Sequence, residues 1–141
     1  MKYFSFYIFL LFALALCSCV VPVDSKNVSD RIMITDENGT ILGGKDDWCF
    51  ERIQTSSIVT QFRPAFPNPA QNNQVQINFE VATSTDVLIY FEPRKIIFSH
   101  SLVPGSYFLR LNSDTLGYRD EVKIIKMITS DGFECEGSIQ F

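Results

Sequence analysis

From Gln74 to Val81 the chain alternates strictly: Val75, Ile77, Phe79 and Val81 on one side, Gln74, Gln76, Asn78 and Glu80 on the other. A period of two is the mark of a half-buried strand, so Val75, Ile77, Phe79 and Val81 are expected in a core. Further β-type runs follow closely: DVLIYFE, RKIIFSH, SYFLRL, EVKIIKMIT and FECEGSIQF. Turn-like breaks separate them: ATST, the proline in EPRK, LVPG, NSDTLGYRD and SDG. Upstream, RIMITDENGTILGG reads as two short strands around Asp36-Glu37-Asn38-Gly39, a hairpin with Asn-Gly in its turn. No stretch holds a helical period, and there is no internal repeat. Short strands at regular spacing predict an all-β antiparallel sandwich preceded by a β-hairpin.

Between hairpin and strand lies RPAFPNPA, with prolines at 64, 67 and 69. Each proline fixes its own φ and pushes the residue before it out of the helical region. Phe66 and Asn68 are therefore held extended, and the segment is expected to be a stiff, non-helical lead-in.

The first residues follow different rules. One lysine precedes an apolar stretch from about Tyr7 to Leu16, too short to span a bilayer comfortably and suited to a secretory signal. Leu16-Cys17-Ser18-Cys19 resembles the bacterial lipobox: an aliphatic residue, a small residue before the cut, then the lipidated cysteine. That resemblance implies a signal peptide over residues 1–18 and acylation of Cys19. Cys17 fits less well, because Leu16 would then fill the small position. Residues 19–30, a polar run with one proline, read as a tether, and 31–141 as the β-sandwich domain. The implied location is the bacterial cell envelope, exported and held by lipid, with the outer membrane as the expected site.

A chain of 141 residues with 46% hydrophobic and 20% charged residues has the makings of one folded domain. The formal net charge of −4 argues against nucleic acid as a partner, which calls for clustered Lys and Arg. The membrane, through the lipid, and an envelope protein or glycan are the expected partner classes.

The order of motifs from Phe66 to Leu111 is more specific than any single one. Phe66-Pro67-Asn68-Pro69 opens it, an alternating strand follows, then Val87-Leu88-Ile89-Tyr90, then Pro104-Gly105-Ser106-Tyr107 entering another strand. This order resembles the C-terminal sorting domains of type IX secretion cargo and the immunoglobulin-like domain of flagellar hook-capping proteins. The resemblance implies an immunoglobulin-like sandwich. In that family the turn after the Ile-Tyr strand usually carries glycine, where this chain has Glu92-Pro93-Arg94-Lys95. The expected function is that of a non-enzymatic binding or envelope-assembly module. The alternative is a divergent module recognised by type IX machinery.

Candidate chemistry is sparse. Nucleophilic catalysis needs a nucleophile, a base and a charge stabiliser. The single histidine, His100, sits before a proline turn and reads as a solvent-facing turn residue. No phosphate loop, His-x-x-x-His or Cys-x-x-Cys occurs, so no catalytic residue, cofactor or metal is assigned. Asp36, Glu37, Asp46 and Asp47 supply oxygen ligands of the kind Ca²⁺ prefers, but not at EF-hand spacing. Trp48, Phe50, Phe62, Phe66, Tyr90 and Tyr107 either form an exposed binding patch or fill core and edges. Asp114-Thr115-Leu116 resembles a loose bacterial O-glycosylation triplet, and Asn27 and Asn38 begin Asn-X-Ser/Thr sequons.

The chain has four cysteines. With Cys19 lipidated and Cys17 removed, Cys49 and Cys135 remain, and a pair in an exported domain is most simply a disulfide. Two buried free thiols are the alternative.

Overall fold

The computed structural model describes residues 32–50 and 59–141. Signal segment, tether, Cys17, Cys19 and the Asn27 sequon lie outside the described residues. Among the described residues ten strands occur in chain order: β1 (Ile34–Thr35), β2 (Ile41–Gly43), β3 (Gln61–Phe62), β4 (Phe66–Gln71), β5 (Gln74–Val81), β6 (Thr85–Phe91), β7 (Lys95–Leu102), β8 (Gly105–Asn112), β9 (Val122–Thr129) and β10 (Glu134–Gln140). A single helical turn, α1 (Ser113–Leu116), follows β8.

The strands form two antiparallel sheets. The first is built around β5, with β8 along one side and β4 and β3 along the other, and β1 and β2 beyond β4. The second runs β10-β9-β6-β7. Alternation decides which residues meet between them. Val75, Ile77, Phe79 and Val81 of β5 are all buried to within 1%. They share one core with Val87, Ile89 and Phe91 of β6, Ile125 and Met127 of β9, and Ile139 of β10. Phe79 stacks on Tyr107 and takes Phe98 edge-on, tying β5 to the edge strand of each sheet. The expected all-β sandwich with an N-terminal hairpin is the fold.

The proline segment differs from the expectation in one respect: it is itself a strand. β4 pairs with β5 at Phe66↔Gln76 and Gln71↔Gln74, irregularly in between, and with β1 at Thr35↔Asn68. An irregular ladder tolerates two residues without an N–H, which a regular central strand would not. The β4–β5 turn is closed by Asn72 and Asn73, both in the left-handed region at φ 51° and 61°. Asparagine is among the few non-glycine residues that adopt it at low cost.

Asn68 explains why this segment is held so firmly. Its side chain is completely buried. Nδ2 donates to the carbonyls of Met33 and Ser138, both at 2.9 Å, and Oδ1 accepts from the N–H of Gln140 at 3.0 Å. Its own N–H donates to Thr35 Oγ1, which donates in turn to the Ala65 carbonyl. One carboxamide thus joins β4 to the hairpin segment and to β10 of the opposite sheet. Each buried polar atom of the Asn68 side chain is satisfied, as burial demands.

The loop between β6 and β7 holds Arg94 at φ 119°, a region that favours glycine.

Candidate functional site

The predicted disulfide is formed: Cys49 and Cys135 are bonded, with Cα atoms 5.9 Å apart. It fastens the segment before β3 to β10. Beside it the Trp48 ring lies on Phe62, centroids 5.0 Å apart, and covers Gly137. A Cβ on Gly137 would stand 2.1 Å from the indole, so only glycine fits beneath the ring. Asp46 closes the corner, its Oδ2 accepting from the Ser138 N–H at 2.6 Å. Burial raises the Asp46 carboxyl above its ordinary value, against the opposing pull of the Ser138 and Asp47 N–H groups. The Trp48 indole N–H also favours that carboxylate slightly but falls outside hydrogen-bonding geometry. The buried indole nitrogen therefore has no partner among the described residues.

The other candidates scatter. Asp36 serves its own turn, with Oδ1 accepting from the N–H groups of Asn38 and Thr40. Those bonds hold its carboxyl below the ordinary value. Asp46 is engaged with Ser138, and among the described residues no cluster of three or more His, Cys, Asp or Glu could hold a metal. Asp114 accepts from Asn73, and Asn112 caps α1 by accepting from the Thr115 N–H at 3.1 Å. Thr115 itself is exposed. His100 is solvent-facing as expected, but it stands within strand β7, not in a turn, because β7 continues to Leu102. Trp48 and Phe62 belong to the core, Tyr107 packs against it, and Phe50, Phe66 and Tyr90 are half-buried. The six aromatics form no common patch.

What the fold does assemble is a row that the aromatic inventory misses. Along the β5–β8 ladder the outward pairs are Gln76↔Arg110, Asn78↔Phe108 and Glu80↔Ser106. Phe108 is 60% exposed, the only aromatic among the large exposed apolar residues described. The Arg110 guanidinium lies 5.6 Å over its ring, within cation–π range. Arg110 Nε donates to Gln76 Oε1 at 3.2 Å, and Gln76 Nε2 donates to Asn78 Oδ1 at 2.9 Å. Arg63 and Glu80 pair at 2.7 Å at the end of the row. Two shallow grooves of about 270 Å³ each meet at Gln76. An aromatic face among carboxamides and a guanidinium offers a stacking surface beside hydrogen-bond donors and acceptors. The alternation of Ser106, Phe108 and Arg110 in SYFLRL was the sequence signal for this face.

No family model, curated protein or solved structure matches the chain.

Proposed function

We propose that this is an exported, lipid-anchored protein of the bacterial envelope, whose sandwich is a non-enzymatic binding or assembly module. The observation that carries the reading is the Cys49–Cys135 disulfide. Such bonds persist in oxidising compartments outside the cytosol and are rare inside it. The lipobox-like Leu16-Cys17-Ser18-Cys19 supplies the anchor, and the Phe108 face supplies the contact surface for an envelope protein or glycan. Labelled fatty acid tests the anchor: incorporation is expected in the parent chain and in Cys17→Ala, and none in Cys19→Ala. Label retained by Cys19→Ala would overturn the assignment. For the contact surface, partners recovered from native membranes with the parent should be lost with Phe108→Ser. Recovery of the same partners with that variant would remove the face from the proposal.

A second reading, a divergent module of the type IX sorting kind, is favoured by Arg94. Its positive φ falls in the turn where those domains usually carry glycine. Sorting would process the C-terminal region, so intact-mass measurement of the exported protein separates the two: an anchored binder keeps Phe141.

A further inference from the structure

The outer edge of β7 has no backbone partner among the described residues; the strand is paired only to β6. The direction of its free groups follows from its neighbours. Asp86 and Glu92 of the β6 segment both bond towards β9, through the Ser130 N–H to Asp86 O and the Glu92 N–H to Ile124 O. In an antiparallel ladder successive residues alternate sides, so Val87 and Ile89 bond towards β7. Their partners His100 and Phe98 therefore turn their N–H and C=O groups inward, and Ser99 and Ser101 turn theirs out.

Natural sheets protect such edges by shortness, charge or irregularity. Here β2 and β3 are three and two residues long, β10 carries Glu134 and Glu136, and β8 carries Arg110. Strand β7 has one charge, Lys95, at its far end, and an irregularity opposite Ile89 and Tyr90. Beyond that irregularity Phe98-Ser99-His100-Ser101-Leu102 is regular, holds no Lys, Arg, Asp or Glu, and has no strand on its outer side among the described residues. The five residues are also symmetric about His100: apolar, serine, histidine, serine, apolar.

We propose that this edge pairs with the same edge of a second copy, antiparallel about a two-fold axis at His100, extending the four-stranded sheet across the dimer. Symmetry of this kind needs one self-complementary patch, and the strand supplies it. Ser99 lies opposite Ser101 of the second copy, so the outward groups of both serines are all satisfied. Phe98 lies opposite Leu102 of the second copy, which covers two half-buried apolar side chains in each chain. No fixed charges of like sign face each other. The two His100 residues form the non-hydrogen-bonded central pair, whose Cα atoms sit about 4.5 Å apart in such a ladder.

Cysteine substitution in the full-length protein tests the register. His100→Cys should form an inter-chain disulfide on mild oxidation, because that spacing lies within disulfide reach. Ser99→Cys should not, its counterpart being displaced by two residues along the partner strand. The parent chain controls for Cys17 and Cys19. In sedimentation the parent should show a concentration-dependent dimer that His100→Lys abolishes by placing like charges across the axis. Ser101→Pro should abolish it too, since it removes an outward N–H that β6 does not use. Circular dichroism of both variants checks that the sandwich is intact. A parent that stays monomeric, a dimer unaffected by His100→Lys, or equal cross-linking at positions 99 and 100 would overturn the proposal. Cross-linking of the His100→Cys variant to a different envelope protein would overturn it as well, assigning the edge to a heterologous strand.

Discussion

Gly137→Ala is the smallest change that should break the corner beside the disulfide. The added methyl carbon would lie 2.1, 2.3 and 2.5 Å from three atoms of the Trp48 indole. Carbon contacts settle near 3.5–4.0 Å, so about 1.5 Å must be found. The strand cannot easily give, because β10 is bonded along its length to β9 and by Ser138 and Gln140 to Asp46 and Asn68. The ring cannot easily give either, being packed on Phe62 next to a cysteine bonded to β10. Ordinary overpacking costs about 1–3 kcal/mol. Expelling the indole instead would forfeit about 200 Å² of apolar burial, roughly 5 kcal/mol. The expected loss lies between these limits, about 3–4 kcal/mol. Trp48 is the only tryptophan in the chain, so its fluorescence reports both the urea transition and the ring's own environment. The variant should unfold at lower urea with native emission shifted to the red. A double-mutant cycle, with all four urea transitions followed by circular dichroism, isolates the contact: in a Trp48→Ala background, Gly137→Ala should cost no more than a few tenths of a kcal/mol. An unchanged midpoint and emission in the single variant would refute the reasoning. So would an equal cost in both backgrounds.

Asn68→Asp keeps the shape but cannot donate to Met33 O and Ser138 O, and should cost on the order of 4 kcal/mol; wild-type stability in urea would contradict the hub. Arg94→Gly should raise stability by about 1 kcal/mol, relief of an unfavourable φ exceeding the added freedom of the unfolded chain; a lower melting temperature would count against strain there. Reducing the Cys49–Cys135 bond, which spans 86 residues, should lower the unfolding free energy by up to about 4 kcal/mol, measured with and without reductant; equal midpoints would assign it no such role. Asp131 accepts from the hydroxyls of Thr129 and Thr83, which hold its carboxyl below the ordinary 3.8. Its stabilising contribution is therefore present above that value and lost as pH falls through the lowered one, whereas that of Asp46, raised by burial, is greatest at low pH and lost as pH rises through its raised value. Acid titration should show Asp131→Asn losing less stability below pH 3.8 than the parent, and identical slopes would dismiss the Asp131 linkage.

Local pattern alone determined β5, β6, β8, β9 and β10, because alternation and turn residues are written within a few positions of each strand. It also determined the hairpin at Asp36–Gly39. The same local rules concealed β4. Two prolines and an asparagine in six residues read as a lead-in, and only pairing with β1 and β5 makes the segment a strand. Asn68 had no local reason to be buried; its partners lie 35, 70 and 72 residues away. Gly137 likewise reads as an ordinary strand glycine until Trp48 is laid across it from 89 positions upstream. The Phe108 row was half visible, since alternation in β8 places Ser106, Phe108 and Arg110 on one face. That Gln76, Asn78 and Glu80 stand beside them depends on the register of β5 against β8. Register and sheet order are set by contacts between segments far apart in the chain. The sequence therefore shows which side of each strand is apolar, and the packed sheets decide which residues meet.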